Sequence, residues 1–215
     1  MAQRDSETLD TFVDSSWYYL RYVDPQNHKE FAGKEKLKHW LPVDLYVIGA
    51  EHTTAHLLYA RFIAKFLRDQ GHLFFKEPFL KLRHQGMILG PDGRRMSKRW
   101  GNVINPDDII SEYGADTARI YEMFMGPFAE GGPWDNKSIV GIKRFLDRVW
   151  KLFTSTNNES RTNIRIIHKS IKKITEDIEF FRFNTAISQL MILLNELEKI
   201  GPNQIFLKLL APFAP

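Results

Sequence analysis

Leu41 to Gly71 reads LPVDLYVIGAEHTTAHLLYARFIAKFLRDQG, and the change of pattern inside it decides the fold class. Leu41–Ala50 is rich in β-branched and aromatic residues and runs to Gly49, which predicts a buried strand. Leu57, Leu58, Phe62, Phe66 and Leu67 then recur at helical spacing, and Gly71 is placed to cap the helix end. Residues 43–70 are therefore expected to form a strand, a tight turn and a helix.

Downstream, HQGMILGPDGRR predicts a short strand followed by a turn, because Pro91-Asp92-Gly93 is strong turn chemistry. A helix is expected to open at Asn105, with Pro106 in its first position and Asp107 and Asp108 at the positive end of its dipole. Gly114 should divide it from a second helix, with Asp116 available as that helix's cap. From about Lys137 the texture becomes purely helical. Ile139, Ile142, Phe145, Leu146, Val149, Trp150 and Phe153 make one stripe, and Ile167, Ile171, Ile174 and Ile178 a second. After a cap expected at Asn184, a third stripe runs Ile187, Leu190, Met191, Leu194 and Leu197 to Gly201-Pro202, and a fourth begins at Ile205. Consecutive amphipathic helices of this kind make an α-bundle.

Composition narrows the class. The 215 residues are 43% hydrophobic and 26% charged, as in an ordinary globular protein. Cysteine is absent, which removes disulfides and thiolate metal sites and is compatible with a reducing cytoplasm. No apolar run approaches a membrane span, and no membrane partner is expected. The polar, acidic start MAQRDSETLD is not a signal peptide. A net charge of +4 and a pI near 9.2 are mild pointers to a polyanionic partner. The apolar ending LKLLAPFAP has no polar cap, so truncation is expected there.

Three stretches carry chemistry. In GAEH, Glu51 follows the predicted strand at a helix start, where open α/β sheets bind ligands and a carboxylate can accept ribose hydroxyls. The same residues also fit a capping glutamate beside two ordinary histidines, His52 and His56. TFVDSSWYYLRY sets Phe12, Trp17, Tyr18 and Tyr19 around Asp14, Ser15 and Ser16, which fits a small apolar pocket or simply core and a turn. GRRMSKRWGN, from Gly93 to Asn102, holds three arginines and a lysine on a loop bounded by glycine. It can bind phosphate and stabilise a departing pyrophosphate, and on charge alone it equally fits a solvated turn or an RNA patch.

RRMSKRWGNVINPDDIISEYGADTARIY resembles the signature loop of class I aminoacyl-tRNA synthetases, usually K-M-S-K-S followed by G-N, here Arg95-Met96-Ser97-Lys98-Arg99. DTFVDSSWYYLRY, LPVDLYVIGAEHTTAHLLYARF and QGMIL resemble bacterial-type leucyl-tRNA synthetases in particular. GPWDNKSIVGIKRFLDRVWKLF and FNTAISQLM resemble their entry into the helical tRNA-binding domain, so the likeness covers almost the whole chain in matching order. Valyl and isoleucyl relatives share the overall plan.

The resemblance implies an α/β fold: the second half of a class I synthetase Rossmann-like nucleotide-binding fold, followed by an α-helical bundle. The expected domains are 1–136, the catalytic part with its signature loop at 95–99, and 137–215, a truncated helical tRNA-binding part. The implied activity is a leucine–tRNA ligase, with ATP and Mg²⁺ as substrate and with leucine and the leucine tRNA as partners, in the cytoplasm. Lys98 would be the main ATP contact and, with Arg95, catalytic; Ser97 joins them. Gly49, Glu51, His52, Gln85, Gly86, Met87 and Ile88 would bind ATP. Phe12, Ser15, Tyr18 and His56 would line the leucine pocket, and Lys143, Arg144, Arg148 and Lys151 would meet tRNA. No resident metal is implied.

The sequence departs from that family in three ways. The other ATP signature, H-I-G-H, does not occur in it, nor do the editing domain and zinc module that precede this region in relatives. Arginine stands at the first and last positions of the loop signature, a planar fork where relatives have a mobile ammonium and a serine. Only a short turn separates QGMIL from the signature, so the insertion some relatives carry there is lacking. The expectation is an internal fragment, weak or inactive without its H-I-G-H-bearing half. The alternatives are a non-catalytic tRNA-binding module, favoured by Lys137, Lys143, Arg144, Arg148, Lys151, Arg161, Arg165, Lys169, Lys172 and Lys173, and a fragment of a valyl- or isoleucyl-type class I synthetase.

Overall fold

The computed structural model describes residue 8 and residues 10–155 and 163–215; Arg161 lies outside them. The chain divides into two compact units, Met1–Gln85 and Gly86–Pro215.

In the first unit, α1 (Phe12–Ser15), α2 (Tyr18–Tyr22) and α3 (Lys34–Trp40) precede a strand–helix–strand element. That element is β1 (Tyr46–Gly49), a 3₁₀ turn (Ala50–Thr53), α4 (His56–Asp69) and β2 (Leu82–Gln85). β1 and β2 pair in parallel, Tyr46 opposite Leu82 and Gly49 opposite Gln85, as a crossover through a helix requires. The strand is shorter than the 41–50 run predicts and only half-buried, with Val47 exposed. The face of α4 is only partly the expected one: Leu57 and Leu67 pack inward as expected, while Leu58 and the two phenylalanines do not. Leu57, Ala60 and Ala64 are buried, while Phe62 is 68% and Phe66 52% exposed. Small alanines let α4 approach Tyr19, Leu20, Leu37 and Leu41 closely, and that packing outweighs the larger apolar area of the phenylalanines. Gly71 does end the helix, at φ +77, where a Cβ is disfavoured. The long link from α2 to α3 is tied by Arg21, whose guanidinium donates to the carbonyls of Asp24, Pro25, Asn27 and Phe31 at 2.7–3.1 Å.

The second unit opens with β3 (Met87–Leu89), where the sequence reading had one strand with β2. Gly86 breaks the run, because a Cβ there would lie 2.0 Å from Gly131 N. This close approach lets β3 pair in parallel with β4 (Gly131–Pro133). α5 (Pro106–Tyr113) begins as expected, with the Asn105 side chain accepting from Asp107 N at 3.2 Å. α6 (Ala115–Phe124) is entered from Gly114 at φ +88; Asp116 lies in its first turn and caps nothing. Four further helices follow: α7 (Asn136–Thr154), α8 (Ile164–Glu179), α9 (Phe183–Ile200) and α10 (Gln204–Leu210). The expected Asn184 cap is replaced by entry at Arg182, whose backbone N–H donates to Asp177 O at 2.7 Å.

One apolar core joins Ile109, Ile120, Tyr121 and Trp134 to Ile139, Ile142, Ile174, Leu190, Leu194 and Phe206. Each such burial is worth about 1.5–3 kcal/mol. This shared core places the packing division at 85/86, while the change of sequence texture at 137 coincides with the start of α7. Trp150 falls off the predicted stripe and is 75% exposed. Asp177 is fully buried at the α8–α9 corner, bonded by Arg182 Nε at 2.8 Å, Thr185 Oγ1 at 2.7 Å and Lys173 Nζ. Burial opposes its ionisation, but these donors outweigh it and hold its pKa below the usual range.

Candidate functional site

In the first unit the residues in question gather at the carboxyl end of β1. The 3₁₀ turn carries Glu51 and His52, and His56 is the first residue of α4. Glu51 folds its carboxylate back over Gly49, filling the space where a Cβ would sit 2.3 Å from Oε2. A side chain at position 49 would displace the carboxylate from the strand end. His52 presses its ring edge-on to Phe12 and His56, and its buried Nδ1 has no hydrogen-bond partner. An orphaned buried polar atom costs roughly 1–3 kcal/mol, which a water or a ligand group placed against it would relieve.

Phe12, Ser15, Tyr18 and His56, far apart in sequence, come together here. His56 Nε2 meets Tyr46 Oη at 2.8 Å, Tyr46 Oη meets Tyr18 Oη at 2.8 Å, and His56 Nδ1 meets Ser15 Oγ at 3.4 Å. Ser15 Oγ donates to Phe12 O at 3.3 Å. Tyr46 stacks flat on Phe79, with ring centroids 3.9 Å apart. Burial, then the neighbouring His52, lowers the His56 pKa. Burial and the bond with Tyr18 raise that of Tyr46. Sequence reading missed Tyr46 and Phe79. Tyr46 lies inside the predicted strand, and nothing along the chain brings Phe79 near it. His84 was missed too: it sits on β2 opposite Ile48, and its Nδ1 bonds Ile48 O at 3.1 Å. Gln85 ends β2 opposite Gly49.

The second unit carries Gly86, Met87 and Ile88, and the basic loop after them. Gly86 N donates to Phe128 O at 2.7 Å, and Met87 and Ile88 lie in β3. The loop turns at Gly93, at φ +73, and returns to bond Gly90 N to Arg94 O at 2.8 Å. Asn102 ties the turn shut. Its Oδ1 accepts from Ser97 N at 2.9 Å, and its Nδ2 donates to Asp92 Oδ1 at 3.0 Å. That bond, then the Arg94 backbone N–H, holds the Asp92 pKa low. Ser97 Oγ accepts from Arg99 N at 3.3 Å and caps a single 3₁₀ turn, Lys98–Trp100, that ends at Gly101 with φ +63. Met96 points the other way and, with Ile88, Ile109 and Trp134, lines a cavity of about 170 Å³. Arg94 and Arg99 both lie over Trp100, 5.5 and 5.3 Å from its ring centroid.

Arg94, Arg95, Lys98 and Arg99 are all exposed, and among the described residues none of them forms a salt bridge. Four cations on one braced turn make a concentrated positive field suited to a polyphosphate. The basic residues of α7 differ from one another. Lys143 pairs with Asp147, and Arg148 forks onto Glu198 with Nε–Oε1 at 2.9 Å. Arg144 and Lys151 are exposed and have no ion pair among the described residues. Among the described residues no group of three His, Asp or Glu could hold a metal, and no helix is long and apolar enough to cross a membrane.

Residues 1–130 match the family model described as tRNA synthetases class I (I, L, M and V). The fold is similar to the agnB2 LeuRS of Agrobacterium radiobacter K84, solved as a ternary complex with tRNA and LeuAMS. The match has a TM-score of 0.88 and 36% identity over 99% of this chain and 31% of that one. The chain thus spans about a third of that relative's length. It also shares its fold with Mycobacterium tuberculosis methionyl-tRNA synthetase bound by methionyl-adenylate, with a TM-score of 0.59 and 19% identity over 88% of this chain and 39% of that one.

Proposed function

This chain belongs to the class I tRNA synthetases of the I, L, M and V group, and from that premise we propose that it supplies part of the active site of a leucine–tRNA ligase. The observation that carries the reading is the braced loop after β3 with four exposed cations, Arg94, Arg95, Lys98 and Arg99, that form no salt bridge among the described residues.

In the proposed reaction a leucine carboxylate oxygen attacks the α-phosphorus of ATP bound with Mg²⁺, and the bond to the β-phosphate oxygen breaks. Pyrophosphate leaves with its electron pair. The 3′-terminal ribose hydroxyl of tRNA then takes the acyl group and AMP departs. Lys98 and Arg95 stabilise the charge that grows on the pyrophosphate, and Ser97 holds the 3₁₀ turn that presents Lys98. Glu51 accepts ribose hydroxyls, with His52, Gln85, Gly86, Met87 and Ile88 beside the nucleotide. Phe12, Ser15, Tyr18 and His56 receive the leucine side chain. The basic face of the helical part, residues 137–215, contributes to tRNA binding through Arg144 and Lys151 foremost, because Lys143 and Arg148 already hold carboxylates. On this reading residues 1–136 are the second half of a Rossmann-like catalytic fold and the helices after them a tRNA-binding bundle.

Because the chain contains no H-I-G-H signature, it is proposed to be inactive alone and to require the part of the synthetase that bears it. Leucine-dependent exchange of pyrophosphate into ATP, measured with that part supplied, is expected to fall about 10²–10³-fold in Lys98→Ala, as for loss of one preorganised donor. A loss under about threefold would remove the loop from catalysis.

A further inference from the structure

Ser15 has a single hydroxyl proton, and Ser15 Oγ donates it to Phe12 O at 3.3 Å. Toward His56 Nδ1, 3.4 Å away, Oγ can then only accept, so the imidazole proton belongs on Nδ1. His56 Nε2 is left as an acceptor, and the group set against it among the described residues is Tyr46 Oη at 2.8 Å. Having donated to Nε2, Tyr46 Oη accepts from Tyr18 Oη, also at 2.8 Å. Each hydroxyl and ring nitrogen from Tyr18 to Phe12 then has a donor matched to an acceptor, all running one way. In the opposite tautomer Tyr46 Oη would accept from Nε2–H and donate to Tyr18, but Nδ1 would need the proton that Ser15 has given to Phe12 O.

We propose that Ser15 is a positioning residue: with its own proton committed to Phe12 O it accepts from His56 Nδ1–H and locks the ring as the neutral, Nδ1-protonated tautomer, while Tyr46 fixes the ring plane beside Phe12 and Tyr18. The inference rests on the reading of that cluster as the amino-acid pocket for its consequence, though not for its geometry. Tyr46 can fix that plane because its own ring is clamped, stacked on Phe79 with 7° between the planes. The surroundings of His56 all oppose a positive charge. It begins α4, where the helix dipole is positive, and it is buried. The titratable groups facing it are Tyr18 from α2, Tyr46 from β1 and His52 from the 3₁₀ turn, none of them a carboxylate. A neutral ring with both nitrogens engaged offers a bound amino acid only its carbon edge and face. The site therefore favours an aliphatic side chain over one that needs a hydrogen-bond partner.

The test uses this chain with ¹⁵N-labelled histidine. In the unaltered protein His56 should show a pyrrole-type shift on Nδ1 and a pyridine-type shift on Nε2. Ser15→Ala removes the acceptor at Nδ1 and leaves Tyr46 Oη, which can accept from Nε2–H and donate to Tyr18, so the two shifts should exchange. Tyr46→Phe keeps the stacking on Phe79 and the Ser15 bond and should keep Nδ1 pyrrole-type, which separates this role from general loosening. An Nε2-protonated ring in the unaltered chain, or no change of tautomer in Ser15→Ala, overturns the proposal. Leucine titrated into the unaltered chain, now labelled uniformly with ¹⁵N, tests the pocket reading separately. Shifts confined to Ser15, Tyr18 and His56 support that reading, and their absence counts against it while the tautomer result stands.

Discussion

Replacing Asn102 by alanine should open the basic loop. The Asn102 carboxamide accepts from Ser97 N at 2.9 Å and donates to Asp92 Oδ1 at 3.0 Å, with weaker reach to Arg95 O at 3.4 Å. It bridges the two ends of the turn, so no other side chain inherits both bonds. A hydrogen bond is worth about 0.5–1.5 kcal/mol net, and the exposed Asp92 end belongs at the low side of that range. The two good bonds and the weak one together give about 1.5–2 kcal/mol. That corresponds to roughly a 10- to 30-fold larger population of the open loop, at 1.4 kcal/mol per decade. Native-state amide hydrogen exchange reads this directly, because the Ser97 N–H is protected only while the staple holds. Ser97 should exchange about 10- to 30-fold faster in Asn102→Ala, with amides in the middle of α9 unchanged. Pyrophosphate affinity should fall with it, since the four cations lose their common scaffold. Unchanged Ser97 exchange would refute the idea that Asn102 braces the loop.

Three other outcomes follow from the geometry. Gly86→Ala drives a Cβ against the Gly131 backbone at 2.0 Å and should cost about 3 kcal/mol in urea unfolding, whereas Gly93→Ala, with open space around its Cβ, should cost about 1 kcal/mol. Asp177→Asn should destabilise the helices by about 2 kcal/mol at neutral pH, less than for a pair buried on both sides because Lys173 and Arg182 are half-exposed. The folded pKa of Asp177 lies below the unfolded value of about 3.9, so its stabilisation is present above that pH and lost below it; the gap between the two proteins should narrow as acid is added. In tRNA binding, Arg144→Ala and Lys151→Ala should each lower the slope of log affinity against log salt by about 1, while Arg148→Ala, already paired with Glu198, should barely change it.

Much of this was legible along the chain. Glycine and proline punctuation placed the turn at Gly93 and the breaks at Gly71, Gly114 and Gly201, all at positive φ. The Asn105-Pro106 opening of α5 was readable because capping is local chemistry. Failures arose where tertiary packing chose between equivalent local options. On α4 both a phenylalanine stripe and an alanine stripe have helical period, and only the neighbouring Leu20 and Leu37 decide that the alanines face inward. On α7, periodicity assigned Trp150 to the core that Val149 occupies. The candidate site divides in the same way. Phe12, Ser15, Tyr18 and His56 were named from resemblance, and the fold places them together. Tyr46 and Phe79 act only through partners brought near by folding, so no motif marked them, and Asp92 and Asn102 lie in motifs that were read while the bond between them was not.

The most direct test supplies the H-I-G-H-bearing part and measures amino-acid-dependent exchange of pyrophosphate into ATP with leucine, isoleucine, valine and methionine in turn. Leucine should lead isoleucine and valine by roughly 10- to 200-fold, the range an apolar pocket achieves for methylene-scale differences, and Lys98→Ala should abolish most of the signal. Equal or greater stimulation by isoleucine, valine or methionine would contradict a leucine-activating site.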